Sequence, residues 1–288
     1  MKPYTELERC VKLGRLALCC DNGSYSKEQC AELLNVGAIN VEPNERIYHI
    51  IKLDYFLKML KSGSLRMTHP SDWDDPWEDP EFCNFARYDH PKQLSPTTSV
   101  QDVDLSAIRK SSYAMCWTLR KECDGLWRAY TDNMRYRAIR ISTTVGKLFR
   151  EFYRFEEPIC SNRYFIGRVE YCSEENLVKE RDKFFSQPLV HLKRIMTLFK
   201  KRDQFDYEQE VRLIYDDAGE VSDCRKLPKE HFHKVDLSKI VDEVTLDPWC
   251  GEEELEMVRG YVSSLGFSFQ IDVSKLYSEI TTPAPIHN

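Results

Sequence analysis

No two of the 11 glycines in this chain lie closer than six residues, the tightest pair being Gly260 and Gly266. Phosphate-cradling turns need clustered glycines, because only a backbone without Cβ atoms closes tightly around a pyrophosphate. The spacing therefore excludes the dinucleotide fingerprint of doubly wound sheets, the P-loop and the kinase glycine loop. A nucleotide, if bound, must be held by side chains. The 41 basic and 47 acidic residues give a net charge of −6. That disfavours a broadly basic nucleic-acid coat and leaves room for a local groove.

Eleven cysteines occur without a C-x-x-C pair. They read as reduced thiols, most of them buried as small hydrophobes, in a cytoplasmic protein. The first residues lack the apolar run of a signal peptide, and no stretch approaches the ~20 apolar residues of a membrane span. No metal site is expected: the cysteine spacing does not suit zinc, and His231 and His233 share a strand face without evident ligand partners.

Strands and helices alternate irregularly. Residues 1–35 are helical, with Ser26 capping a second helix that runs through Leu34. The polar stretch Asn40–Glu45 is a linker. Ile47–Ile51 is a strand, Leu53–Lys61 a helix stopped by Gly63, and Leu65–Thr68 a returning strand. Residues 86–104 are a polar loop. Further strands are expected at Tyr113–Leu119, Ala138–Ile141, Phe165–Tyr171, Glu210–Tyr215, Ile240–Leu246 and Phe269–Val273. Helices are expected at Leu126–Thr131, Val145–Tyr153, Asn176–Lys200 and Glu252–Leu265. The pattern predicts an α+β fold around a split mixed or antiparallel sheet with surrounding helices, not a doubly wound sheet. Residues 1–45 would form a helical N-terminal segment and 46–288 one catalytic domain.

Three stretches can carry chemistry. Ile47-Tyr48-His49-Ile50-Ile51 places a histidine in an otherwise apolar strand, where a satisfied core histidine is as common as a functional one. Ser71-Asp72-Trp73-Asp74-Asp75-Pro76-Trp77-Glu78 is a rigid loop rich in Asx-turn residues, and two tryptophans can make it a pocket wall. Tyr207-Glu208-Gln209-Glu210-Val211-Arg212-Leu213 sets two carboxylates two apart at a strand entry, hence on one face. Such a pair repels and invites a functional explanation. The plainer alternative is a solvated strand end with one glutamate paired to Arg212.

The Tyr48-His49-Ile50 strand, the Leu53–Gly63 helix and turn, and the Glu208-x-Glu210 strand together resemble ADP-ribosyltransferase domains. The likeness is greatest to DNA-modifying toxins of the DarT type and to tRNA 2′-phosphotransferases. The Asp/Trp/Pro stretch, Trp127-x-x-Tyr130 and the Tyr207–Leu213 motif also resemble a bacterial family of unknown function with an F-N-D-P-F-[DE] signature. The resemblance implies NAD as co-substrate, with Glu210 catalytic and Glu208 positioning or deprotonating the acceptor. It implies His49 on the adenosine-side ribose, with Tyr48 and Arg66 as neighbouring candidates and Trp127 or Tyr130 stacking on nicotinamide. The middle motif falls either on Tyr130 or on the Ser111-Ser112-Tyr113 strand. The implied acceptor is a macromolecule, nucleic acid or protein, in a toxin or phage-defence setting, with an antitoxin or regulatory partner and no membrane. Three other readings stay open. One is an NAD glycohydrolase. Another is a non-catalytic nucleotide- or nucleic-acid-binding module using Arg135–Arg140 or Lys193–Arg202 as a basic surface. The third is a metal nuclease built on Asp72, Asp74, Asp75 and Glu78.

Overall fold

Helix formation begins where a side-chain oxygen can serve a first turn. In the computed structural model, which describes residues 4–18, 25–75, 77–78, 111–157, 160–185, 191–217 and 228–278, Ser26 caps α2 (Lys27–Gly37). Its hydroxyl accepts from Gln29 N–H while the Gln29 side chain accepts from Ser26 N–H, a reciprocal capping box. Helix α1 (Glu6–Leu18) precedes it and is tied to it by the Arg9 guanidinium, which donates to the Val36 carbonyl. The chain then enters a short strand, β1 (Ala38–Ile39), within the stretch preceding residue 46.

The unit read from the sequence follows: β2 (Arg46–Lys52), α3 (Leu53–Ser62) and β3 (Ser64–Thr68). Gly63 ends α3 in the left-handed region, φ 57°, where its N–H reaches the Met59 carbonyl. Then come β4 (Ser112–Thr118), α4 (Asp124–Thr131), β5 (Ala138–Thr144), α5 (Val145–Phe152) and β6 (Tyr164–Arg168). Next are β7 (Glu170–Cys172), α6 (Glu174–Phe185), α7 (His191–Thr197), β8 (Lys200–Arg202) and β9 (Glu210–Asp216). The last elements are β10 (Glu230–Lys234), α8 (Leu237–Ile240), β11 (Glu243–Leu246), α9 (Glu252–Ser264) and β12 (Gln270–Val273).

Among the described residues, ten strands form one sheet, whose main path runs β1-β6-β9-β4-β2-β5-β11-β12. The outer pairs β1/β6 and β11/β12 are parallel, and the pairs between them antiparallel. One edge of β4 has two partners: Ala114 pairs Thr68 of β3, and Thr118 pairs Tyr48 of β2. The sheet splits there, as the sequence pattern predicts. β3 continues to β10, while β2 continues to β5.

The structure departs from the sequence reading in particular places. The strand expected at Phe165–Tyr171 is two, because β7 leaves the main sheet to pair with β8. Lys200–Arg202 is that partner strand, not the end of a helix. The loop at 86–104 lies outside the described residues. Of the six cysteines whose side chains are described, five are partly exposed and only Cys160 is buried. Cys116 lies on β4 and lines a pocket, and Cys123 directly precedes α4. Among the described residues no helix is long and apolar enough to cross a membrane, and no three His, Cys, Asp or Glu side chains form a metal-holding group.

The two sheet faces bury different things. Ile47, Ile141, Val211, Leu213, Met115 and Phe152 belong to the main apolar core. The opposite face of β9, β4 and β2 carries Arg212, Glu210, Thr118 and Tyr48, and there the pocket opens.

Candidate active site

Two glutamates reach one pocket by different backbone routes. Glu210 is the first residue of β9, and its N–H donates to the Tyr171 hydroxyl at 2.8 Å. Glu208 is not on the strand. It ends a 3₁₀ turn, Asp203–Glu208, and Gln209 then adopts a left-handed conformation with φ 45°. The two carboxylates do meet, but not through the shared strand face that the spacing predicts. The turn and the left-handed residue bring Glu208 alongside Glu210. A non-glycine residue in this region is uncommon and costs of order 1–3 kcal/mol, so surrounding contacts must impose it. The Gln209 carbonyl accepts from Leu119 N–H, and the Thr118 hydroxyl donates to the Glu208 carbonyl at 2.5 Å.

Behind the glutamates lies a buried ion cluster. Lys201 Nζ is 3.1 Å from Glu210 Oε1, 2.6 Å from Glu208 Oε2 and 2.9 Å from Glu78 Oε1. Arg212 donates to Glu210 Oε2 from Nε at 2.8 Å, to Glu78 Oε2 at 2.6 Å, and to the Leu198 carbonyl at 2.7 Å. The Trp73 ring covers the guanidinium at 4.7 Å. Arg212 is 1% exposed, so the solvated strand end of the plainer reading is absent although its ion pair is present.

Burial alone would raise both carboxyl pKa values. For Glu210 the opposing pull of Arg212 and Lys201 wins and holds it at about 2. For Glu208 burial and the hydrogen bond with Glu210 outweigh Lys201, and it rises to about 7. Two adjacent carboxyls with proton affinities driven apart suit a permanent anion beside a group that gives or takes a proton.

The pocket above them has a volume of about 200 Å³. For scale, an apolar cavity of about 150 Å³ accepts a benzene ring. The rings of Tyr48 and Tyr130 and the aliphatic side chains of Ile50 and Leu126 form its walls, and Thr118, Glu208 and Glu210 its polar end. Tyr48 is backed by the Arg140 guanidinium, 5.3 Å from its ring. Tyr130 is 38% exposed at the mouth.

Of the site residues read from the sequence, the structure brings Tyr48, Tyr130, Glu208 and Glu210 together. Trp127 is fully buried behind α4, its indole N–H donating to Glu122 at 2.9 Å, so Tyr130 is the ring of the W-x-x-Y pair that faces the pocket. Arg66 pairs with Glu230 across β3 and β10 and does not line the pocket. His49 points to the other face of β2 from Tyr48. Its Nδ1 lies 2.8 Å from the Cys116 carbonyl and its ring 5.2 Å from the Trp117 ring. Burial lowers its pKa to about 4 despite that hydrogen bond, so the ring is neutral at pH 7. Tyr113, in the alternative middle motif, lies on the core face and donates to the Pro228 carbonyl.

The Asp/Trp/Pro loop has a different place from the one expected. Asp75 accepts from Trp77 N–H in an Asx turn and pairs with Arg202, while Glu78 enters the ion cluster. Cations hold both carboxylates, two of the four on which the metal-nuclease reading rests. Within the two basic segments, Arg140 and Arg194 are each 2% exposed and Lys201 is inside the cluster, while Arg135 and Tyr136 stay exposed and Arg137 pairs with Asp247 and Glu254.

Lys201, Arg212 and Tyr171 complete the site; the sequence reading gives Arg212 only as an ion-pair partner and Lys201 only as part of a basic segment, and does not single out Tyr171. The E-x-E-x-R spacing was the one available signal, and it pointed to Arg212.

No protein-family model matches the chain, and neither does any curated protein. Three solved structures of Thermus sp. 2.9 DarT align over 82% of this chain. The complex with NAD+ aligns over 98% of its own chain at 11% identity, TM-score 0.37. The complex with ADP-ribosylated ssDNA aligns over 96% at 11% identity, TM-score 0.37. The complex with carba-NAD+ aligns over 97% at 12% identity, TM-score 0.36.

Proposed function

We propose that the protein is an NAD-dependent ADP-ribosyltransferase acting on a macromolecular acceptor, nucleic acid or protein. The observation that carries this reading is the Glu208/Glu210 pair at the polar end of a ring-walled pocket, one carboxyl held ionised and the other near neutrality. The volume suits the nicotinamide–ribose end of NAD, with the adenosine end outside. Tyr130 is placed to stack on the nicotinamide ring, and Tyr48 is a second aromatic wall.

Cleavage of the bond between the nicotinamide nitrogen and ribose C1′ sends the electron pair to nicotinamide and leaves an oxocarbenium-like ribose. The Glu210 carboxylate, fixed by Arg212 and Lys201, favours that cation over the neutral ground-state sugar and lowers the barrier. Both its oxygens already accept from cations. A carboxylate has ~four lone-pair positions, so room remains for a sugar hydroxyl. Glu208 takes the proton that the acceptor loses as its new bond to C1′ forms. A toxin or phage-defence role with a regulatory partner belongs to the same proposal, supported by the motif resemblance alone.

Incubation with adenylate-labelled NAD in cell extract tests the reading. Label that becomes macromolecular and is then released by nuclease or protease supports transfer and identifies the acceptor class. Nicotinamide release without any labelled macromolecule would replace transfer by hydrolysis.

A further inference from the structure

We propose that Glu78 is a positioning residue of this site. By sharing Lys201 and Arg212 with the two motif glutamates, it clamps Glu210 at the pocket floor and leaves Glu208 to carry the exchangeable proton.

Three carboxylates surround two cations, so the fully ionised cluster carries one excess negative charge, and one proton makes it neutral. Glu78 touches both cations, at 2.9 Å from Lys201 and 2.6 Å from Arg212. Glu210 also touches both, at 3.1 and 2.7 Å. Glu208 touches Lys201 only. Its side chain is 22% exposed, against 3% for Glu78 and 10% for Glu210. The proton therefore belongs on the carboxyl with one cation and a path to the pocket. Without the Glu78 charge, two cations face two carboxylates and nothing favours that proton. A third carboxylate with no access to substrate is costly to bury, and this is the effect it has on the site.

The phenols and the thiol around the two glutamates are neutral around pH 7. Burial raises the phenols of Tyr130 on α4, Tyr171 on β7 and Tyr207 in the 3₁₀ turn, and it raises the Cys116 thiol on β4. The charges in contact are Lys201 from β8 and Glu210 from β9, with Arg212 and Glu78 behind them, and the Arg120 guanidinium donates to the Tyr207 carbonyl beside Glu208.

The test is the titration of the Glu208 carboxyl in the full chain, followed by NMR with carboxyl-labelled glutamate and assigned with Glu208→Gln. It needs no substrate. The wild-type midpoint should lie near neutrality. In Glu78→Gln it should fall by about one pH unit or more, as expected for removing a nearby like charge. Glu78→Asp, which keeps the charge, should restore it. A wild-type midpoint in the ordinary carboxylate range, or one unmoved in Glu78→Gln, would overturn the inference. The inference rests on the proposed reaction for one further readout, the acid limb of nicotinamide release, which should shift with the same sign. A uniform loss of rate without a shift would mark Glu78 as merely structural. Absence of release by the wild type would count against the proposed reaction, and the titration would still decide the role of Glu78.

Discussion

Strand β9 is buried along its whole length, yet its two faces are stabilised in opposite ways. Val211, Leu213 and Tyr215 lie in the main core, where removal of apolar surface from water is favourable at roughly 25 cal/mol per Å². Glu210 and Arg212 face the ion cluster, where desolvation of each charge costs several kcal/mol before any pairing offsets it. The first face explains why the strand forms. On the second face Ile214 joins a smaller apolar cluster, but the charges add little net stability and need a chemical reason, which the pocket above them supplies.

The largest expected effect separates the two faces directly. Replacing Glu78, Lys201, Glu210 and Arg212 together with apolar residues of similar volume should leave urea stability unchanged or raised, while nicotinamide release disappears. A large loss of stability would show that the cluster is chiefly a structural device. Breaking the cluster from one side is different. Arg212→Ala should cost about 3–5 kcal/mol, because Glu78 and Glu210 lose a buried partner. On the apolar face Leu213→Ala should cost about 2–5 kcal/mol by the same measurement and leave the KM for NAD unchanged.

The pH dependence of stability gives a subtler contrast within the cluster. Glu210 titrates lower in the folded chain than in the unfolded one. Its contribution is therefore present above the ordinary glutamate range and fades as pH falls toward 2. Glu208 titrates higher when folded, so its ionisation destabilises the fold progressively from about pH 4.5 to 7. Melting temperature should decline over that upper window, and Glu208→Gln should flatten the decline. An unchanged slope in the variant would assign the decline to other groups. The smallest effect is at the pocket mouth. Tyr130→Leu should raise KM for NAD about tenfold, and Tyr130→Phe should not, since a stacked ring contributes about 0.5–1.5 kcal/mol.

Local signals in the sequence carry much of this. The Ser26 cap, the Gly63 stop and the strands β2, β4 and β9 are decided by neighbouring residues, and the structure has them within a residue of where the pattern puts them. The E-x-E spacing also marks the two carboxylates that line the pocket. What local pattern cannot carry is a contact between distant segments. Glu78 meets Arg212 across 134 positions, and the sequence offers no spacing rule for that meeting. The left-handed Gln209 is equally hidden, because glutamine has no preference for that region and the surrounding hydrogen bonds impose it. Charge runs mislead for a related reason. Arg140 and Lys201 look like parts of solvated basic faces until the sheet buries them against carboxylates.

The central claim is that a fixed Glu210 carboxylate drives cleavage of NAD. The most direct measurement is nicotinamide release by the wild type and by Glu210→Gln, with folding of the variant checked by its melting transition. Loss of one preorganised charge of this kind should lower the rate by about 10²–10³-fold. Undiminished release by a folded Glu210→Gln protein would contradict the claim.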